Sequence, residues 1–471
     1  MIWPGKDKSK EEEKILPPVK NFSAEPEDLL AYGFDSSGRT GRPSAVAWPE
    51  SADEVSKILK HARRHGMKVV PRGAGTGMSG GAVPAAPQSG VSSSPLLVLS
   101  MERMNRLLDL DANNLTVTVE PGMINGRLQR EISVHGLFYP PDPTSLEFCT
   151  LGGNVAENAG GPRALKYGVT ANYVLELEAV LPSGEIIKAG AGTRKSVVGY
   201  DLARLLTGSE GTLAVITKIK LKVLPAPQDV ITLLAVFDTA ESAGKAVSGI
   251  IAGGTIPRTL EIMDRASILA VERYSPTGLP HEAGALLLIE LDGHPKTIRD
   301  EAGKIVDVCS GLKAEVTMAE DEFAKDALWR ARRSLSPALY NACPRKKSED
   351  IVVPPSRIPE MLASISELSR RHGIPMAAFG HAGDGNLHVN ILPEDLAQGA
   401  SNINSLLTEL FSRTLELGGS ISGEHGIGLT KKDFISMEVS PAAMGLMRGI
   451  KKTFDPDGLL NPGKIFPEEA Y

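Results

Sequence analysis

The sequence is poor in cysteine, and its three cysteines, Cys149, Cys309 and Cys343, lie far apart. No two of them are spaced as Cys-x-x-Cys, which argues against an iron–sulfur cluster or a structural zinc site held by this chain alone. So few cysteines also argue against a disulfide framework and fit a reducing compartment.

Long apolar runs and a large excess of one charge are also missing. No run approaches the roughly 18 apolar residues of a membrane span. The N-terminus, MIWPGKDKSKEEEKILPP, has no apolar signal region. With 51 Lys and Arg against 57 Asp and Glu, the net charge is −6, so we expect no binding of nucleic acid. We expect a cytoplasmic protein without a transmembrane segment, at most peripheral to the inner membrane through a partner.

What is present fits a globular chain of two or three domains, since 42% of its 471 residues are apolar and 23% are charged. Residues 21–34 fit one short helix, and SADEVSKILKHARRHG (51–66) fits a helix with Val55, Ile58, Leu59 and Ala62 on one face. Residues 174–187 fit a β-hairpin, and the strands and helices predicted between 43 and 227 end at closely spaced prolines. From 230 to 318 the pattern alternates strand and helix, which is typical of an α+β domain with an antiparallel sheet.

A glycine-rich loop follows the predicted strand MKVVP, and Gly75, Gly77 and Gly80 match Gly-x-Gly-x-x-Gly. The dinucleotide fingerprint needs a helix that opens at the third glycine. Three prolines in the next segment, GAVPAAPQSGVSSSP, argue against such a helix. Two interpretations of the loop remain, which are a plain surface loop and a nest of backbone N–H groups that binds phosphate. The nest is favoured, because ordering so much glycine costs entropy that a ligand can offset.

Four segments, in this order, resemble the flavin-binding domain of the vanillyl-alcohol oxidase and p-cresol methylhydroxylase (PCMH) superfamily. They are PRGAGTGMSGG (71–81), PPDPTS (140–145), LGGNVAENAGGPRALKYG (151–168) and GSEGTLAVIT (208–217). The resemblance covers 42–227 and implies FAD. Some relatives attach FAD through a histidine in the glycine loop, and this loop has none, so we expect non-covalent FAD.

The same resemblance implies which residues hold FAD. The pyrophosphate is expected against Arg72–Gly77 and Asp142–Ser145, the isoalloxazine and ribityl chain near Gly152–Asn154, and the adenine beside Gly211 and Ile216. The full predicted set is Pro71, Arg72, Gly73, Ala74, Gly75, Thr76, Gly77, Ser79, Gly80, Pro141, Asp142, Ser145, Gly152, Gly153, Asn154, Asn158, Ala159, Gly161, Glu210, Gly211, Ile216 and Asn461.

Histidines and a carboxylate cluster in the last hundred residues. His381 and His388 lie in GHAGDGNLHVN, and His425 follows Glu424 in SGEHGIG. In a strand NLHVN, His388 and Asn390 share a face, and a tight Gly-Asp-Gly turn can bring His381 beside them. Two imidazoles and one carboxylate with an open position are a ligand set for a catalytic divalent metal. Buried structural histidines are the alternative.

GHAGDGNLHVN, SGEHGIG and LNPGK resemble the C-terminal domain of the FAD-linked D-2-hydroxyacid dehydrogenases. These include the flavoprotein subunit of glycolate oxidase, flavin-dependent D-lactate dehydrogenases and D-2-hydroxyglutarate dehydrogenase. The resemblance implies that His381, His388 and Glu424 bind the metal, with Zn²⁺ preferred over Fe²⁺ or Mn²⁺. It further implies His425 as catalytic base in contact with substrate, and Asn390 as a substrate-binding residue.

A basic segment between 330 and 347 contains six cations and no acid. It is either a solvated helix face or a clamp for the substrate carboxylate. The resemblance implies a clamp made by Arg332 and Ser336, with Lys347 as the third member, although the register leaves Lys346 and Lys347 as alternatives. The six cations are Arg330, Arg332, Arg333, Arg345, Lys346 and Lys347.

The predicted fold is α+β, with an N-terminal segment (1–41) and a PCMH-type FAD-binding domain (42–227). A substrate or cap domain of the FAD-linked oxidase C-terminal type (228–420) follows, with an antiparallel sheet. The last segment (421–471) is expected to complete the active site and return to the FAD domain.

The resemblance implies a dehydrogenase that oxidises a D-2-hydroxy acid, D-lactate or glycolate first, to the 2-oxo acid. The metal polarises the hydroxyl, His425 takes its proton and the hydride passes to flavin N5. Electrons then leave to an iron–sulfur subunit, an electron-transfer flavoprotein, a cytochrome or a quinone. Two alternatives remain: a metal-free PCMH-type oxidase of phenols or sugars, and a non-catalytic flavin-carrying subunit of a redox complex.

Overall fold

A computed structural model describes residues 17–85, 94–393 and 396–467. Of the predicted N-terminal segment (1–41), residues 1–16 lie outside this described part. No helix within the described ranges is long and apolar enough to cross a membrane. The cytoplasmic location stays a prediction.

The first sheet consists of β1 (Phe22–Ser23), β2 (Ala45–Ala47), β3 (Lys68–Arg72) and β4 (Leu96–Ser100), in the order β1-β2-β4-β3. The stretch 21–34, predicted as one helix, instead forms β1 and then helix α1 (Pro26–Ala31), because Phe22 and Ser23 pair with β2. Helix α2 (Ala52–Arg64) connects β2 to β3, and both of these strands run parallel to β4. Its predicted apolar face is confirmed as buried, with Val55, Ile58, Leu59 and Ala62.

Five antiparallel strands form the second sheet, in the order β5-β6-β10-β8-β9. Its strands are β5 (Leu107–Asp111), β6 (Thr116–Val119), β8 (Val174–Val180), β9 (Ile186–Gly190) and β10 (Val215–Lys222). The predicted hairpin over 174–187 is confirmed, since β8 and β9 pair around the turn. A small pair, β7 (Leu137–Phe138) with β11 (Leu224–Pro225), lies beside it. The helices of this half are α3 (Asn125–Ser133), α4 (Leu151–Glu157), α5 (Ala164–Tyr167) and α6 (Leu202–Leu206).

The second half contains a seven-stranded sheet in which every pairing is antiparallel, as predicted. The strand order is β15-β12-β14-β13-β17-β18-β16. Because the order does not follow the chain, residues from distant segments become neighbours. The strands are β12 (Asp229–Phe237), β13 (Thr259–Asp264), β14 (Ala285–Gly293), β15 (Glu315–Met318), β16 (Lys347–Val352), β17 (Met376–His381) and β18 (Asn386–Ile391).

Helices cover both faces of this sheet. One face packs its largest apolar cluster against α7 (Ala240–Ala252), α9 (Pro295–Gly311), α12 (Ile358–His372) and α13 (Leu396–Glu416). The opposite face packs a smaller cluster against α8 (Arg265–Tyr274), α10 (Glu322–Arg333) and α11 (Leu335–Ala342). The basic segment 330–347, a single stretch in the sequence, is divided among α10, α11 and β16.

The last described segment leaves the cap and returns to the first sheet. After α14 (Ile435–Glu438) and α15 (Pro441–Phe454), Leu459 O accepts a hydrogen bond from Val69 N at 2.8 Å. Asn461 N then donates to Val69 O at 2.7 Å. The chain end therefore joins the two halves at the strand that precedes the glycine-rich loop.

Candidate active site

A pocket lies between the two sheets of the first half, where the glycine-rich loop, helix α4 and the turn before β10 meet. Thirteen of the residues predicted to hold FAD line it: Pro71, Arg72, Gly73, Ala74, Gly75, Thr76, Gly77, Gly152, Gly153, Glu210, Gly211, Ile216 and Asn461. The pocket is also lined by residues that the sequence analysis did not name, namely Gly81, Ala82, Met101, Pro121, Thr150, Ala156, Glu157, Ser209, Ala214 and Val215.

The glycine-rich loop forms its wall with bare backbone. A Cβ built on Gly73 would lie 2.2 Å from Thr150 Oγ1, and one built on Gly75, whose φ is +72°, would lie 2.2 Å from Arg72 Nη2. Neither position tolerates a side chain. The described part of the loop contains no helix, as expected from its prolines, so any phosphate held there would be bound by loop backbone rather than by a helix N-terminus.

Several buried polar atoms at this pocket have no hydrogen-bond partner among the described residues. They include Asn154 Nδ2 beside the pocket, and Glu157 Oε2 and Asn461 Oδ1 in its lining. Buried polar groups are rarely left unpaired in a native protein. The donors, acceptors and glycine-rich wall therefore fit a polar cofactor such as FAD.

The other predicted FAD residues lie beside the pocket lining. Asp142 Oδ2 pairs with Arg163 Nε at 3.1 Å, and burial raises the pKa of Asp142 to about 6. Asn158 Oδ1 accepts a hydrogen bond from Ala171 N at 2.9 Å. These side chains shape the loops around the pocket. The FAD-binding role stays a prediction for the thirteen lining residues and for the other nine, which are Ser79, Gly80, Pro141, Asp142, Ser145, Asn154, Asn158, Ala159 and Gly161.

The predicted metal ligands come together beside β17 and β18, two interior strands of the cap sheet. Strands β17 and β18 pair around the Gly-Asp-Gly turn, which places the His381 and His388 rings 5.1 Å apart. Glu424 Oε1 lies 3.4 Å from His381 Nε2 and 3.5 Å from His388 Nε2. Ligand atoms around a tetrahedral Zn²⁺ are separated by about 3.3–3.6 Å. The three side chains therefore fit one divalent ion.

Glu261 on β13, which the sequence analysis missed, orients one of these ligands. Its Oε1 lies 2.6 Å from His381 Nδ1, so the Nε2 atom is left free to face the cluster. Its Oε2 accepts a hydrogen bond from Arg332 Nε at 2.6 Å. Burial raises the pKa of Glu261, but Arg332 and His381 outweigh burial and hold that pKa at about 2. Glu261 is therefore ionised.

Asp350 on β16, also missed, holds the segment that carries the third ligand. Its Oδ2 accepts backbone hydrogen bonds from Gly423, Glu424 and His425 at 2.8, 2.8 and 2.9 Å. Burial raises the pKa of Asp350, but His425 and Lys431 hold it well below its usual value. An ionised carboxylate thus anchors three successive N–H groups. For Glu261 the sequence signal was an acid among the apolar residues of TLEIMD, whereas KSEDIV gives no such signal for Asp350.

The basic segment contributes two inward cations. Arg332 is buried, and its Nη2 atom has no hydrogen-bond partner in the described part of the chain. Lys346 Nζ donates to Ser336 Oγ at 3.1 Å and to Asn390 Oδ1 at 3.0 Å. Burial lowers the pKa of Lys346 to about 8, so it carries a charge at neutral pH.

Of the two alternatives, Lys347 has an exposed side chain at the start of β16, whereas Lys346 faces Asn390. Which lysine contacts substrate stays a prediction. Arg332 and Ser336 lie on separate helices, α10 and α11, which meet at Ser334.

His425 lies beside the ligand cluster. Its ring stacks on that of His388, with centroids 5.4 Å apart and 12° between the planes. Its backbone N–H is one of those held by Asp350. A half-buried imidazole in this position can take a proton from a group bound at the ion.

The cluster borders the flavin pocket. A Cβ built on Gly160, in the loop after α4, would lie 2.9 Å from Glu424 Oε2. Glu210, which lines the pocket, accepts hydrogen bonds from Ile427 N at 2.9 Å and Gly428 N at 2.7 Å. The segment bearing Glu424 and the pocket wall are therefore in direct contact.

Two family models cover most of the chain. Residues 43–190 match the model described as FAD binding domain, and residues 226–465 match that of the FAD linked oxidases, C-terminal domain. The second match alone spans half of the sequence. The first match lies inside the predicted range 42–227, and the second begins at residue 226, just before the predicted boundary at 228. The domain limits stay predictions.

Individual relatives agree with the models. The chain is 41% identical over 457 residues to glycolate oxidase subunit GlcD of Bacillus subtilis, covering 96% of this chain and 95% of the relative. It is 36% identical over 451 residues to a D-lactate dehydrogenase of Anaerostipes hadrus, covering 93% and 91%. Substrate-bound p-cresol methylhydroxylase superposes with a TM-score of 0.76 at 15% identity, covering 96% and 95%, which shows the PCMH-type fold.

Proposed function

The chain belongs to the FAD-linked oxidase family, and from this premise we propose that it is a metal-dependent dehydrogenase of D-2-hydroxy acids. D-lactate and glycolate are the first candidate substrates, because the similar proteins of Anaerostipes hadrus and Bacillus subtilis are named for them. The product is the 2-oxo acid.

One observation carries the proposal. Glu424 Oε1 lies 3.4 Å from His381 Nε2 and 3.5 Å from His388 Nε2, and this cluster lies against the loop that borders the flavin pocket. A metal site for structure alone would have no reason to face a redox cofactor. A metal-free flavin oxidase would leave the buried Nε2 atom of His381 unpaired.

The two cofactors supply what side chains lack: bound FAD accepts two electrons, and a divalent ion held by His381, His388 and Glu424 lowers the pKa of a coordinated hydroxyl. Arg332 and Lys346 bind the substrate carboxylate, the first through its unpaired Nη2 and the second through its Nζ. Both cations favour a substrate with an anionic group.

His425 takes the hydroxyl proton on a ring nitrogen. Its stacking on His388 and its backbone hydrogen bond to Asp350 keep the ring beside the ligand cluster. Asn390 serves the carboxylate clamp, since its Oδ1 accepts hydrogen bonds from both Lys346 Nζ and Ser348 Oγ. The electrons then pass to an iron–sulfur subunit, an electron-transfer flavoprotein, a cytochrome or a quinone.

The decisive experiment mixes the anaerobic holoprotein with a panel of D- and L-2-hydroxy acids and follows flavin absorbance by stopped flow. We expect D-lactate or glycolate to bleach the flavin, chelation to abolish bleaching with FAD retained, and His425→Ala to slow it at least 100-fold with FAD and metal retained.

Two outcomes would contradict the proposal. Bleaching that survives complete metal removal would favour the metal-free oxidase. A flavin that no hydroxy acid, phenol or sugar reduces would favour a non-catalytic flavin-carrying subunit.

A further inference from the structure

Glu157, at the last position of helix α4, lines the flavin pocket but has no part in the chemistry above. Its Oε2 atom is buried and has no hydrogen-bond partner among the described residues. A carboxyl oxygen in such a place is costly unless a ligand satisfies it. Because Glu157 lines the pocket, a ligand bound there is the candidate partner of its carboxyl group.

A second carboxyl group, Glu210, lies close to Glu157. A Cβ built on Gly426 would lie 2.8 Å from Glu157 Oε2 and 3.0 Å from Glu210 Oε1, so both oxygens approach the same point. Glu210 takes the backbone N–H groups of Ile427 and Gly428, one on each oxygen. The hydrogen bonds that stabilise a negative charge are therefore given to Glu210 and not to Glu157.

Counter-charge in this region is scarce. The positive charge of Lys464 lowers the pKa of both carboxyl groups. Lys464 is shared with Asp35, and its Nζ donates a hydrogen bond to Val83 O at 2.6 Å. Burial raises the pKa of Glu157, and the neighbouring Glu210 raises it further, well above its usual value. Of two buried carboxyls this close, one keeps its proton, and the hydrogen bonds identify it as Glu157.

We propose that Glu157 is a flavin-positioning residue, which remains protonated and donates a hydrogen bond from its carboxyl group to the bound flavin. The reduced ring carries more negative charge than the oxidised ring, so a donor stabilises the reduced state more. Glu157 thus raises the flavin reduction potential, and Glu210 acts through it by keeping the proton in place.

The test is the equilibrium between oxidised and reduced flavin, measured anaerobically against a reference dye with the FAD-loaded protein and no substrate. In Glu157→Leu the ratio of reduced to oxidised flavin at a fixed potential should fall about tenfold, which is about 30 mV for a two-electron couple. In Glu157→Gln, whose amide still donates, it should stay within about threefold.

The sign of the shift separates the alternatives. An ionised Glu157 would repel the reduced flavin, so both variants would raise the ratio and overturn the proposal. A purely structural Glu157 would leave the ratio unchanged in Glu157→Leu, which would overturn it equally. Glu272→Gln is the matched control, because this buried carboxylate bonds Thr277 and Gly278 in the cap and does not line the pocket.

A second measurement covers the case in which Glu157→Leu loses FAD. Infrared difference spectra on flavin reduction should contain the C=O band of a protonated carboxyl that shifts on reduction and is absent from Glu157→Gln. If this band is missing from the parent protein, or persists in the variant, the proton is not on Glu157 and the proposal fails.

Discussion

Replacing Glu261 by glutamine tests how the metal ligands are oriented. The carboxylate accepts from His381 Nδ1 on one oxygen and from Arg332 Nε on the other, each at 2.6 Å. A glutamine side chain has only one acceptor oxygen, and its amide would face one of these two donors with another donor. The variant can therefore satisfy His381 or Arg332, but not both.

The expected loss follows from these contacts. Removing a carboxylate that orients a metal-bound histidine typically costs 10–100-fold in metal affinity, or about 1.4–2.8 kcal/mol. The buried Arg332 also loses its ionic partner, and breaking a buried pair on one side costs about 3–5 kcal/mol of stability. We expect Glu261→Gln to bind Zn²⁺ at least tenfold more weakly and to unfold at a lower temperature.

The assay is a competition titration of the metal-free protein with Zn²⁺ and a chelator, alongside thermal unfolding. Glu290→Gln is the matched control, because Glu290 is buried on the next strand and bonds Trp329 and Arg258 rather than a ligand. It should lose stability without losing metal affinity. A Zn²⁺ affinity within threefold of the parent in Glu261→Gln would refute the role of Glu261.

Two further predictions concern the clamp and the contact with the flavin pocket. Because burial lowers the pKa of Lys346 to about 8, its charge is present below that pH and lost above it, so KM should rise up to tenfold per pH unit above 8. Steady-state pH profiles should lose this rise in Lys346→Ala and keep it in Lys347→Ala; an unchanged profile in Lys346→Ala would contradict the clamp. Gly160→Ala places a Cβ 2.9 Å from Glu424 Oε2, so its metal content should fall about tenfold with FAD retained, as absorbance and elemental analysis would measure. Gly303→Ala, with open space around the added Cβ, should keep both, and a full metal content in Gly160→Ala would disprove the contact.

Local sequence patterns were sufficient to predict individual helices and strands, and the hairpin of the site that carries His381 and His388. The period of Val55, Ile58, Leu59 and Ala62 predicted helix α2, because one buried face is a property of that segment alone. The hairpin carrying His381 and His388 was equally readable. Its turn, residues 382–385, joins two strands whose histidines are seven residues apart, so pairing of the strands brings both imidazoles together.

The sequence did not show which of two neighbouring lysines, Lys346 or Lys347, faces the site. Neighbouring residues at the start of a strand point to opposite sides, so a shift of one residue exchanges Lys346 for Lys347. Nothing in Arg345-Lys346-Lys347 indicates which side is inward. Pairing of β16 with β18 decides it, since Lys347 lies opposite Ile391 and Lys346 is left facing Asn390.

By itself, the sequence determined an α+β chain with a glycine-rich cofactor loop and a pair of adjacent histidines, since these depend on segments of a few residues. Only the tertiary structure decided that Glu261 and Asp350 orient the ligands and how Glu424 reaches the two histidines. These acids lie on or beside β13, β16 and the segment after α13, which are neighbours solely through the strand order β13-β17-β18-β16. The strand order is set by the burial of apolar faces against helices that are distant in sequence. The free energy of this burial depends on long-range contacts, which no local pattern encodes.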